Sequence, residues 1–169
     1  GLVAWSDGIA LAPRLSDTFT IVHAPGLDGA AVQGHRYLST DSRGYAIYDS
    51  LTPYRKNTLM LDTSDSQSDV ALLGNRKSTA PYRGAVVMTQ FDTDKRKPWY
   101  FLAQRPDGSP LSFGYEVEDE SGKNVGLVGQ GSRIFIRTDD VPASIRVSVN
   151  KQQEQFCTIT FDKVIEENK

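Results

Sequence analysis

Cysteine is almost missing from this chain of 169 residues: Cys157 stands alone. A single thiol permits no internal disulfide and no cysteine-based zinc site. Histidine is nearly as scarce. His23 and His35 lie 12 positions apart without cysteines or carboxylates at ligand spacing, so they read as structural or surface residues. Basic charge is not in excess either, since 19 Lys+Arg face 21 Asp+Glu and the net charge is −2. That balance argues against a nucleic-acid module, which normally shows a basic face. Long apolar runs are also lacking. The longest, Trp99 to Ala103, falls far short of the roughly 20 residues a membrane helix needs, so no membrane-spanning helix is expected. Position 1 is Gly rather than Met and no signal peptide follows, so the chain reads as a piece of a longer protein.

Helical periodicity is absent as well, and period-two alternation takes its place. Phe19 and Ile21 alternate with threonines. Ala85, Val87 and Phe91 share one face; Phe113, Tyr115 and Val117 oppose Glu116 and Glu118. Ile145, Val147 and Val149 alternate with Ser144, Arg146 and Ser148, and Cys157, Ile159 and Phe161 with Thr158 and Thr160. Such alternation marks strands with one dry and one wet face. Turn clusters separate them. Arg105-Pro106-Asp107-Gly108-Ser109 should join strands 99–104 and 111–118 as a hairpin, because Pro presets φ and Gly accepts φ > 0. Ser121-Gly122-Lys123-Asn124 closes the next one. Short strands punctuated this often predict an all-β fold.

Glutamate divides the chain unevenly: all six lie beyond residue 115 and the first 94 residues contain none. The polar stretch Asp92 to Pro98 reads as a linker or exposed connection between two small β-sandwiches, Ig-like or transthyretin-like. Residues 1–14 belong clearly to neither half.

No catalytic signature appears. G-x-S-x-G, H-E-x-x-H and G-x-x-x-x-G-K-[ST] are all missing. Gly126-Leu127-Val128-Gly129-Gln130-Gly131 has its glycines in the reverse sense to a dinucleotide fingerprint and reads as a hairpin or bulge. Asp62, Asp65 and Asp69 do not follow calcium-loop spacing, and Glu116, Glu118 and Glu120 look like the wet side of a strand. The expectation is a protein that is not an enzyme and uses no metal or cofactor. The segment from Ser39 to Asp62 is different, because it gathers Arg43, Tyr45, Tyr48, Tyr54 and Arg55. Tyr and Arg anchor protein interfaces. The tyrosines equally suit the end of a sandwich core with their hydroxyls on backbone groups, and both readings stay open.

A series of motifs then carries a resemblance over nearly the whole chain. It comprises Ile21-Val22-His23-Ala24-Pro25-Gly26, Thr40-Asp41-Ser42-Arg43-Gly44-Tyr45-Ala46, Pro53-Tyr54-Arg55-Lys56-Asn57, Leu61-Asp62, Pro81-Tyr82-Arg83-Gly84-Ala85-Val86-Val87, Pro110-Leu111-Ser112-Phe113-Gly114 and Gly126-Leu127-Val128-Gly129. In order and spacing this resembles the C-terminal region of fimbrial outer-membrane ushers of the chaperone–usher pathway.

The resemblance implies a residual barrel strand and exit segment over 1–17, a first β-sandwich over 18–94 and a second over 97–169. It places the parent in the outer membrane of a Gram-negative bacterium, with this part on the periplasmic side and not itself spanning the membrane. It implies docking of chaperone–pilin subunit complexes beneath the barrel pore, where donor-strand exchange needs no nucleotide or metal. Exposed Arg43, Tyr54, Arg55 and Arg83 become the candidate partner contacts. Many relatives pair the cysteine matching Cys157 with a second near the end; the tail 162–169 has none, so Cys157 is expected to pack inside as a small apolar residue. The alternative is a pair of extracellular Ig-like modules serving adhesion or as spacers.

Overall fold

A computed structural model describes residues 1–12, 14–35, 37–150 and 155–161. The chain divides into two compact units, Gly1–Lys95 and Arg96–Lys169.

The first unit contains β1 (Leu2–Trp5), β2 (Gly8–Leu11), β3 (Phe19–His23), β4 (Ala31–Val32), β5 (Tyr45–Tyr48), β6 (Asn57–Asp62), β7 (Ala71–Leu73), β8 (Arg76–Thr79), β9 (Val86–Gln90) and β10 (Asp92–Asp94). Two three-stranded sheets, β5-β3-β9 and β4-β6-β8, supply its principal core. Val22, Ala46 and Phe91 on one side join Leu27, Val32, Leu59 and Leu61 on the other. Each large side chain buried this way contributes on the order of 2 kcal/mol. The β3–β9 pair is parallel, Phe19 opposite Val86 and His23 opposite Gln90, while the other pairs are antiparallel.

Alternation in β3 predicts a dry Phe19/Ile21 face and a wet threonine face, yet both faces are covered. Thr20 and Val22 are wholly buried toward the principal core, and the Thr20 hydroxyl meets that of Thr89 at 2.9 Å. A bonded hydroxyl can be buried at little cost, which is why threonine passes for a wet position in sequence. Ile21, with Ile47, packs instead beneath Val3 and Ala12 of the β1–β2 hairpin. Residues 1–12 therefore lie within the first unit, although their sequence attaches them to neither half.

Asp92–Asp94 is likewise no bare linker. It forms β10, paired with β7 from Asp92 opposite Leu73 to Asp94 opposite Ala71. A ladder is made by backbone groups, so polar side chains can point outward from it: Asp92 meets Lys77 at 3.0 Å, and the Thr93 hydroxyl donates to the Pro25 carbonyl at 2.8 Å.

The second unit contains β11 (Lys97–Leu102), β12 (Glu116–Glu118), β13 (Asn124–Val128), β14 (Arg133–Thr138), β15 (Ser144–Asn150) and β16 (Gln155–Thr160). They form one antiparallel sheet in the order β11-β14-β13-β12-β15-β16. Its inner face buries Val117, Val128, Ile134, Ile136, Ile145 and Val147, with Trp99, Cys157 and Ile159 packed against them. β11 and β16 stand at opposite ends of that order, yet the rings of Phe101 and Phe161 lie 4.4 Å apart. The sheet therefore curls until its ends meet over the core.

The hairpin expected from 99–104 to 111–118 is not formed. The turn closes as its residues demand, with Gly108 donating to the Arg105 carbonyl at 2.8 Å and Arg105 to the Ser109 carbonyl at 3.0 Å. Pairing then stops at the single bridge between Gln104 and Pro110, because Pro110 has no N–H to continue a ladder. Leu111 donates instead to the Ser132 hydroxyl at 2.8 Å, and β11 pairs with β14. The turn at 121–124 does join β12 to β13. Asp119 holds it, its Oδ1 accepting from the N–H groups of Ser121 and Lys123 and from the Ser121 hydroxyl.

Candidate functional site

Three of the four candidate contacts stand on two adjoining turns of the first unit. Tyr54 donates its N–H to the Pro81 carbonyl at 2.8 Å, which seats the turn carrying Tyr54 and Arg55 beside the turn carrying Arg83. Asn57 clamps the first turn: its Oδ1 accepts from Thr52 N–H at 2.8 Å, and its Nδ2 donates to the carbonyls of Thr52 and Arg55. The second turn is tied by Gly84 N–H to the Thr18 hydroxyl at 2.9 Å and by Ala85 N–H to the Tyr82 carbonyl at 3.2 Å. Between them the rings of Tyr54 and Tyr82 meet edge to face at 5.9 Å, and both are largely exposed, at 67% and 75%. Arg55, Lys56 and Arg83, on the same two turns, are exposed. Tyr82 was absent from the sequence-derived candidates; the signal that could have found it is the Pro-Tyr-Arg triplet, which occurs at both 53–55 and 81–83.

Arg43 is not brought to these turns. Its Nη2 donates to the Ile9 carbonyl of β2 at 2.7 Å and to the Asp41 carboxylate at 3.2 Å, and its guanidinium lies 5.7 Å from the centre of the Tyr45 ring. It thus fastens the β1–β2 hairpin to the loop before β5. Asp41 organises that loop, its Oδ1 accepting from the N–H groups of Arg43 and Tyr45. Partial burial works to raise the Asp41 pKa, but the bonds from Tyr45 and Arg43 outweigh it and hold the carboxyl below its ordinary value.

Tyrosines of this region divide between the two readings. Tyr45 is half-buried, stacked on His23 at 4.1 Å and edge-on to Trp5 at 5.1 Å. Tyr48 packs on the principal core and against His35. These two serve the core; Tyr54 does not. His23 is a packing residue whose pKa is lowered, first by burial and then by Lys95. Asp62 accepts from the Ser64 N–H and hydroxyl within a local turn. Among the described residues no group of three or more His, Cys, Asp or Glu is placed to hold a metal ion, and no helix is long and apolar enough to cross a membrane.

Comparison with known proteins matches residues 1–91 to the family described as outer membrane usher protein, and residues 100–163 to the PapC C-terminal domain. The chain belongs to the outer membrane usher family. Over its full length this usher sequence is 57% identical to the outer membrane usher protein YehB of Escherichia coli K12, of which it spans 20%. It is 32% identical to the usher MrkC of Klebsiella pneumoniae, with 92% of this chain and 20% of MrkC aligned. The chain therefore spans about a fifth of the length of these curated relatives. Among solved structures it is similar to a chain of the E. coli P pilus tip assembly intermediate PapC-PapD-PapK-PapG. The TM-score is 0.55 at 23% identity, covering 94% of this chain and 19% of that one, a likeness of fold.

Proposed function

We propose that this chain is the periplasmic C-terminal part of an outer-membrane usher and acts as a docking module, binding chaperone–pilin subunit complexes and orienting them for pilus assembly and secretion. In this reading residues 1–17 are the remnant of a barrel strand with its exit segment, and 18–94 and 97–169 are two sandwich domains below the pore. The observation that carries it is the match of two usher-family descriptions, one after the other, to 1–91 and 100–163. The solved relative, an assembly intermediate of PapC with PapD, PapK and PapG, supports the kind of partner.

Tyr54, Arg55 and Arg83 are the contacts this reading assigns to the partner, on turns fixed by backbone bonds and therefore preorganised. Arg43, half exposed, is the fourth, although its guanidinium is already bonded within the chain. Docking must be reversible, which suits an interface of ordinary size, about 800 Å² per partner, with a polar rim. No nucleotide, metal or nucleic acid enters the process.

The test is retention of a purified chaperone–pilin complex by the immobilised chain. Specific capture of that complex, with chaperone complexes of unrelated pathways left in solution, is the expected result. No capture at tens of micromolar complex would overturn the docking reading.

A further inference from the structure

We infer that the turns at 53–55 and 81–83 act as one site, a tyrosine pair within a basic rim, and that it takes an acidic face of a folded protein partner. The inference rests on the docking reading and names the chemistry of the partner's surface.

The first observation is the repeated triplet itself. Two Pro-Tyr-Arg sequences 28 positions apart are brought into direct contact by the Tyr54-to-Pro81 backbone bond. The fold thus presents two tyrosines and two arginines from a pair of adjoining turns, which share the triplet but not the conformation, the left-handed residue being Tyr54 in one and Gly84 in the other. Neither ring is consumed by the core, since about two thirds of Tyr54 and three quarters of Tyr82 face solvent. Aromatic side chains held this way offer a large contact area at small entropic cost, because the backbone beneath them is already fixed.

The second observation is conformational. Tyr54 has φ +58°, in the left-handed region that glycine or asparagine enters with little penalty and an aromatic residue does not. The turn would form more easily with glycine at this position. A strained, exposed tyrosine gains little from its own fold in return, its ring contact being the edge of Tyr82.

The third observation is charge. Arg55, Lys56 and Arg83 have no ion-pair partner among the described residues, and the turns at 52–57 and 81–85 contain no carboxylate. Asp17, next to the Thr18 that bonds Gly84, still leaves the cations in excess. Local positive charge beside two exposed tyrosines is complementary to an acidic face of a folded protein, because aromatic and arginine side chains together are the usual anchors of a protein interface.

The experiment uses the full chain, immobilised, with a purified chaperone–pilin complex of the same pilus system as the probe, and measures affinity by biolayer interferometry. Arg55→Glu/Arg83→Glu and Tyr54→Ala/Tyr82→Ala should each weaken binding by about tenfold or more, whereas Lys123→Glu in the second unit should not. Wild-type binding should weaken as NaCl rises from low to high concentration. Tyr54→Gly separates function from folding: its melting temperature should rise by a few degrees while its affinity falls. Wild-type affinity in these folded variants, or a Tyr54→Gly chain that melts lower and binds normally, would overturn the site and leave the docking reading standing. Failure of the wild-type chain to bind at all would overturn both.

Discussion

Arg43 and Arg55 look alike in the sequence, two arginines among tyrosines in one turn-rich segment, and the structure gives them different work. The Arg43 guanidinium bonds a carbonyl 34 residues earlier, a partner no local pattern can reveal. Arg43→Ala should therefore lower stability by about 1 kcal/mol in urea unfolding, the value of a charged hydrogen bond reduced by its half-exposed setting. Arg55→Ala, with no such bond, should leave the unfolding midpoint unchanged. Asp41 adds a pH dependence of definite sign. Its pKa in the folded chain lies below 3.8, so its contribution is complete above that pH and is lost as pH falls through the folded value. Asp41→Asn should be less stable than wild type at neutral pH, with the gap closing in acid. His23, lowered from 6.5 by burial, acts on a higher window. The unfolded chain binds its proton first, so stability should decline as pH falls below 6.5, and His23→Gln should flatten that part of the melting-temperature profile.

Strands were legible as strands because alternation is a local signal, while their partners were not. The turn at 105–109 has every residue a hairpin needs, and its chemistry is satisfied, but Pro110 ends the ladder after one bridge. β11 then finds β14, more than 30 residues away, because Trp99 and Phe101 share the buried face with Ile134 and Ile136. Close approach of β13 and β14 depends on Gly126. A Cβ there would sit 1.9 Å from the Phe135 carbonyl oxygen, so Gly126→Ala should force β13 from β14. The expected cost is about 3 kcal/mol, accompanied by faster hydrogen exchange at the β14 amides. Gly44 is the counterpart in the first unit, with φ +85° and an added Cβ 2.0 Å from the Ala24 carbonyl oxygen.

At the scale of the molecule, the principal cores of the two units share no residue. Leu27 is wholly buried in one and Ile136 in the other. Truncating either to Ala should cost about 2–5 kcal/mol. Hydrogen exchange followed by mass spectrometry should show faster exchange throughout the substituted unit, with protection of the other core retained. The candidate surface belongs to this scale too. Composition marks Tyr54 and Arg55, and a motif marks Arg83. Tyr82 carries no such mark, because its relation to Tyr54 exists only once β6 and β8 pair and bring residues 54 and 82 together.

Residue order by itself determined that the chain forms strands, where the tight turns fall, that no cysteine staple or recognisable catalytic motif is encoded, and which family the motifs resemble. Each of these depends on groups a few positions apart or on the identity of residues. Tertiary structure alone decided which faces are buried, as when the threonine side of β3 turned toward the core. It also decided that β11 pairs with β14, that Arg43 is tied to the hairpin, and that two distant Pro-Tyr-Arg turns meet. Those outcomes depend on what lies across the space between strands, and side-chain alternation carries no information about the identity of that neighbour.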